Sequence, residues 1–144
     1  MSLPPQKFRE IVFQLLFSQE LGDLDMDYAV PLMMSELRVT RRSVKEALEK
    51  GELVGQRALE IDAEMQNCSQ GYRLERMHTV ERVALRLGIY EMLYDEKIPA
   101  KVAISEAMRL ARKFGSPEGA NFVNAIMDQV YKGRVLGEEA LLVV

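Results

Sequence analysis

Between Thr79 and Asp95 the chain carries Val80, Val83, Ala84, Leu85, Leu87, Ile89, Tyr90, Met92 and Leu93, which cover most sides of a helix. A helix that is apolar nearly all round cannot lie on a surface and has to be wrapped by other elements. The pattern therefore predicts a helix over about residues 80–95, capped by Thr79, at the centre of a bundle. Strand-like alternation is nearly absent elsewhere, so the fold class expected is all-α.

The remaining segments supply the wrapping. Over 5–20, Phe8, Ile11, Val12, Leu15 and Leu16 form one amphipathic stripe. Gly22 and Asp23, Asp25 and Asp27 then make a connector. A second helix is predicted over about 27–38, with Asp27 as its cap and Pro31 in its first turn, where a missing N–H is tolerated. Thr40 can cap a third over much of 41–66, which Gly51 and Gly55 can bend or break. After a turn at Asn67, Ser69 and Gly71 comes the central helix. Pro99 precedes a helix over 101–114 whose Ala103, Ala107 and Ala111 let a neighbour approach closely. Gly115, followed by Pro117, stops it. The last helix is predicted over about 118–132, with Phe122, Val123, Ile126, Met127 and Val130 on one face and Gly133 as its stop. The result is a single-domain compact bundle of about six to seven helices over residues 1–144. Residues 1–5 and 134–144 are read as atypical tails, since Leu141-Leu142-Val143-Val144 fits no helix face.

Size and composition narrow the function classes. A chain of 144 residues is one domain by length, able to bury roughly 68–70% of its unfolded surface. The longest apolar run, Tyr28 to Met34, is interrupted by Pro31 and far too short to span a bilayer. Neither a membrane span nor a secretory signal is expected, and the protein is read as cytoplasmic. With Cys68 the only cysteine and His78 the only histidine, no intrachain disulfide and no zinc site built mainly from Cys and His can form. A packed thiol and a surface imidazole are the simpler reading. The net charge of −3 argues against strong solitary binding to nucleic acid, because phosphate neutralisation supplies much of that affinity. No phosphate-cradling glycine loop is present, and no carboxylate pair sits in a loop suited to acid–base work. No catalytic residue, cofactor or metal is expected.

Three collinear blocks carry more specific information. They are Glu81-Arg82-x-x-Leu85-Arg86-x-x-Ile89-Tyr90-Glu91, then Pro99-x-Lys101-Val102-Ala103-Ile104-x-Glu106-Ala107, then Phe114-Gly115 with Phe122-Val123-Asn124-x-x-x-Asp128. A weaker N-terminal block, Arg9-Glu10-x-x-x-x-Leu15-x-Phe17, is in register with them. In these blocks the chain resembles the NusB family of bacterial transcription antitermination factors, whereas residues 22–70 match only as helices of suitable length. Two positions depart from the family pattern. Only Lys7 and Arg9 stand where members often carry an arginine-rich run, and Ala125 replaces the usual Gly after Phe-Val-Asn.

The resemblance implies a non-enzymatic RNA and protein adaptor. Such proteins pair with a small-subunit ribosomal protein that doubles as the factor NusE. Together they hold boxA-type single-stranded RNA within an RNA polymerase antitermination complex, which supports transcription of rRNA operons. Carried over residue by residue, Phe17 and Glu81, with Glu75 as a weaker candidate, fall on the NusE-facing surface. Lys7, Arg9, Glu118 and Phe122 fall near the RNA path.

Each has a plainer alternative. Phe17 and Phe122 can fill a core, Lys7 and Arg9 can be ordinary solvated residues, and Glu81 and Glu118 suit a helix first turn through its dipole. Three polar positions read as structural. Arg86 and Glu106 lie in otherwise apolar helices and are expected to pair with each other, and Asn124 is expected to satisfy loop backbone groups.

Two alternatives stand beside the adaptor. One is a homo-oligomeric protein, a homodimer for instance, with little RNA binding. The other is the RNA-binding module of an rRNA methyltransferase, which needs a cofactor-binding domain beyond Val144.

Overall fold

A computed structural model describes residues 3–22, 25–68 and 77–137. Its helices are α1 (Pro5–Leu21), α2 (Met26–Leu37), α3 (Arg41–Gln56), α4 (Ala58–Cys68), α5 (Thr79–Tyr94), α6 (Ala100–Phe114) and α7 (Pro117–Val130), with a π-helical segment over Tyr131–Leu136. No strand occurs among the described residues. The all-α expectation holds. The helices group into two compact units, one up to Gln56 and one from Arg57 onward.

In the first unit α3 packs on both α1 and α2. Ile11, Val12, Phe13 and Leu15 are buried along α1, and Val44, Ala47 and Val54 along α3. Contact is close at Gly51, where an added Cβ would lie 3.6 Å from Leu16 Cδ2. The cap of α2 is Asp25, whose carboxylate accepts from the Asp27 N–H, so the cap falls two residues before the expected Asp27. Pro31 consequently sits in the second turn, leaving the Asp27 carbonyl without its usual intrahelical donor. The helix ends on Arg38 in the left-handed region (φ 54°), with the Arg38 and Val39 N–H groups both returning to the Met34 carbonyl. Thr40 caps α3 as expected: its Oγ1 accepts from the Ser43 N–H at 3.1 Å.

The second unit is built round α5, which packs on α4, α6 and α7. Val83, Ala84, Leu85, Leu87, Gly88, Ile89, Glu91 and Met92 of α5 are all buried, so the nearly all-round apolar helix is the centre of this unit. Its crossing with α6 and α7 depends on Gly88, since an added Cβ would lie 2.8 Å from the Ala107 Cβ and 2.9 Å from Met127 Cε. Ala103, Ala107 and Ala111 of α6 are buried to within 1%, confirming the small-residue face. Three boundaries differ from expectation. The predicted 41–66 helix breaks at Arg57 into α3 and α4; Arg57 lies 4.6 Å from the centroid of the Tyr94 ring. The N-cap of α5 is His78, without a side-chain cap, and Thr79 is already helical. Gly133 does not stop the last helix, which widens into π-helical turns held by Arg134 on Glu64 and Lys132 on Asp128.

Candidate functional site

The expected RNA-facing and partner-facing residues fall in both units. In the first, Lys7 is exposed in the first turn of α1. Arg9 is only 8% exposed and is engaged by other groups of the protein. Its expected phosphate contact therefore gives way to a structural role. A buried guanidinium needs partners within the fold, and sequence alone had no partner to show. Phe17 is half-buried and its ring stacks on Phe13, with centroids 6.0 Å apart and planes 21° from parallel. It thus has both a core side and a side toward solvent.

Near the start of α1 a groove of about 660 Å³ is lined by Leu3, Pro5, Phe8, Thr40, Arg42, Ser43 and Glu46. One wall is formed by Arg42, Ser43 and Glu46 at the start of α3, where Arg41, Arg42 and Lys45 are all exposed. On sequence these three are only the next candidates for a basic surface after Lys7 and Arg9, because cations at the start of a solvated helix look unremarkable in isolation.

In the second unit, Ser116 caps α7 by accepting from the Gly119 N–H at 3.0 Å. Glu118, in the helix's first turn, is exposed, and Phe122 lies one turn further along, half-buried. Glu81, in the first turn of α5, is half-buried against the same end of α7. A Cβ added to Gly119 would fall 2.8 Å from its Oε1. That placement sets a carboxylate beside a helix N-terminus, which the dipole favours. Glu81 also lines a shallow groove of about 230 Å³ with His78, Val80, Gly115 and Ser116. Glu81, Glu118 and Phe122 are thus brought to one end of this unit. Glu75 lies outside the described residues.

The structural assignments need correction. Arg86 is held by Asp62 of α4, with Nε–Oδ1 at 2.9 Å and Nη2–Oδ2 at 3.0 Å. Glu106 takes both Nε and Nη2 of Arg109, one turn along its own helix. The expected mutual pair missed both of these partners. Asp62 lies where the chain reads only as generic helix, and an (i, i+3) carboxylate–guanidinium pair competes well for the buried Glu106 carboxylate. The Arg86–Asp62 pair is also less buried than expected, at 22% and 25% side-chain exposure. Asn124 is exposed within α7 and its side chain makes no hydrogen bond to a described residue, so it does not serve loop backbone.

Cys68 is half-buried at the end of α4. Burial, and secondarily the negative charge of Glu64, push its thiol pKa up, which is the setting of a packed thiol rather than a nucleophile. No group of three or more His, Cys, Asp or Glu able to hold a metal ion occurs among the described residues.

The chain thus folds into two helical units that carry the candidate residues. It belongs to the NusB family, whose profile matches residues 6–132. It is 31% identical to the transcription antitermination protein NusB of Chlamydia pneumoniae over 96% of this chain and 86% of that protein. It is 36% identical to that of Desulfitobacterium hafniense over 85% and 84%. The solved structure of T. maritima NusB superposes with a TM-score of 0.78 at 28% identity, covering 92% of this chain and 93% of that one. A structure of the antitermination factors NusB and NusE in complex with double-stranded RNA shares the fold, with a TM-score of 0.74 at 20% identity over 89% and 96%.

Proposed function

We propose that this protein is a non-enzymatic transcription antitermination factor of the cytoplasm. It holds boxA-type single-stranded RNA together with the small-subunit ribosomal protein that acts as NusE, and so supports rRNA operon transcription by RNA polymerase. The observation that carries this reading is the family match across residues 6–132, joined to relatives of 31% and 36% identity that bear the antitermination name. Site chemistry supports it. The exposed Glu118 and half-buried Phe122 share one surface of α7, where a ring can stack on a base. Glu81 offers a carboxylate and Phe17 the solvent side of its ring to a cationic ribosomal protein.

RNA binding should be partner-assisted. An acidic chain gains little from phosphate neutralisation by itself, and a second bound protein makes capture of the strand effectively intramolecular. The test is fluorescence anisotropy with a boxA-type single strand, with and without the ribosomal protein, at two salt concentrations. The expected result is a clear gain in affinity when the partner is present. Equal affinity in both arms, or preference for an unrelated strand, would refute the proposal. Phe17→Asp and Glu81→Lys should each weaken the ribosomal partner's binding without loss of helical circular dichroism.

A further inference from the structure

The segment from Arg38 to Lys45 reads Arg-Val-Thr-Arg-Arg-Ser-Val-Lys and contains no acidic residue, in a chain whose net charge is −3. All four of its cations are exposed. Arg38, Arg41 and Lys45 form no ion pair with any described residue. Arg42 reaches Glu46 at 3.1 Å, but with 89% and 52% of the two side chains exposed that pair is weak and easily exchanged.

The position of these charges is unfavourable for the helix itself. Arg41, Arg42 and Lys45 occupy the first five residues of α3, which has no acid in its first turn. Cations there oppose the helix dipole, and Arg41 and Lys45 repel each other at (i, i+4) spacing. Three such charges are at odds with α3's own stability, and an external anion would reverse the penalty. Beside them lies the 660 Å³ groove, in which Phe8 and Pro5 supply apolar surface and Arg42 and the Ser43 hydroxyl supply donors, while the Thr40 hydroxyl donates to Ser43 Oγ and the Glu46 carboxylate faces Arg42. Lys7, exposed in the first turn of α1, adds one more cation that pairs with no described residue. Cationic and hydroxyl donors beside a half-buried aromatic ring suit a sugar–phosphate backbone with a base laid against the ring. An acidic peptide would use the cations but would leave Phe8 without a planar partner.

We infer that the backbone of the bound single-stranded RNA is gripped mainly by the start of α3, through Arg41, Arg42 and Lys45, with Lys7 as the contribution of α1 and Phe8 as a base platform. This rests on the RNA-binding function proposed above and relocates its electrostatic part, since Arg9 is buried.

Four phosphate contacts predict a log–log salt slope of about −2.8 for a single strand, and Lys7 alone about −0.7. The experiment compares the full chain with its Arg41→Ala/Arg42→Ala/Lys45→Ala variant, binding a boxA-type single strand in the presence of the ribosomal partner across a salt series. The variant slope should be shallower by about 2, with affinity at 0.1 M salt down roughly 100-fold, the factor that this slope gives over a tenfold range of salt. Helical circular dichroism should be unchanged and the melting temperature equal or higher, because charges opposed to the dipole are gone. Lys101→Ala, an exposed cation on α6, is the control and should change neither quantity. Phe8→Ala should lower affinity without altering the slope. RNA binding by the full chain with an unchanged slope in the triple variant would overturn the inference and leave the antitermination reading intact. Loss of the ribosomal protein's own binding in the variant, with RNA slope unchanged, would assign the patch to that protein and equally overturn it. No binding to a single strand by the full chain and partner would overturn both.

Discussion

Gly88→Ala puts the packing of the second unit to a direct test. Two effects oppose each other. Ala is favoured over Gly in a helix interior by about 0.8–1 kcal/mol, so on propensity alone the substitution stabilises. The new Cβ, however, would lie 2.8 Å from the Ala107 Cβ and 2.9 Å from Met127 Cε, whereas unstrained carbon atoms sit roughly 3.5–4.0 Å apart. Met127 can swing its thioether aside. The Ala107 Cβ is fixed to its backbone and cannot, so α5 and α6 must move apart by several tenths of an ångström. Overpacking of this kind typically costs about 1–3 kcal/mol, leaving a net loss of roughly 1 kcal/mol after the propensity gain. Urea unfolding followed by circular dichroism measures it through the midpoint at constant m-value. Adding Ala107→Gly gives back the space, so the double variant should be less destabilised than the sum of the two singles by about 1 kcal/mol or more. A Gly88→Ala protein more stable by the full propensity increment, with no coupling to position 107, would show that the helices do not meet there.

Further outcomes follow from other contacts. Asp62→Ala removes the bidentate acceptor of Arg86, and because both side chains keep about a quarter of their exposure the loss should be about 1–2 kcal/mol, between surface and buried pairs; urea midpoints check it. Gly119→Ala would place a Cβ 2.8 Å from Glu81 Oε1 and turn that carboxylate away. Calorimetry with the ribosomal protein should then show about fivefold weaker binding, near 1 kcal/mol, with the fold retained. Cys68 should alkylate more slowly than the same thiol in urea at pH 7.5, and the two rates should converge as pH rises, since its pKa is raised by burial and by Glu64. The linked stability has the same sign: the folded state holds the proton more tightly. The contribution is complete below the unfolded thiol pKa of about 8.5 and is lost as pH rises through the higher folded value.

Much of the fold is legible in the sequence because apolar period and helix length are local properties. The 80–95 pattern admits only a wrapped helix, and α5 is wrapped. The alanines at 103, 107 and 111 call for a close neighbour, and α5 and α7 both pack on α6. Boundaries are less legible because they depend on which of several nearby groups wins a backbone donor. Asp25 and Asp27 are equally good caps on paper, and Asp25 takes the role by accepting from the Asp27 N–H. Gly51 and Gly55 flag a weak helix, yet the break falls at Arg57, whose cation lies over the Tyr94 ring. Gly133 looks like a stop, but Arg134 and Lys132 find carboxylates on Glu64 and Asp128, and the chain keeps winding with wider turns.

The candidate site is legible in a different proportion, for an electrostatic reason. Glu81, Glu118 and Phe122 can be placed from sequence because blocks of recognisable spacing contain them, and the fold brings all three to one end of the second unit. The charged residues of the first unit cannot be placed that way. Arg9 and Arg41 are the same side chain in a string of letters. One is 8% exposed and the other is open to solvent, and only the tertiary structure separates a cation that serves the core from one that is offered to a ligand. A whole-chain charge of −3 conceals this further, because it averages an acid-free segment at the start of α3 with acidic surface elsewhere. Phosphate responds to cations within about a Debye length, roughly 8 Å at physiological salt, and not to the chain average. The acidic composition is therefore compatible with RNA contact through a local basic surface.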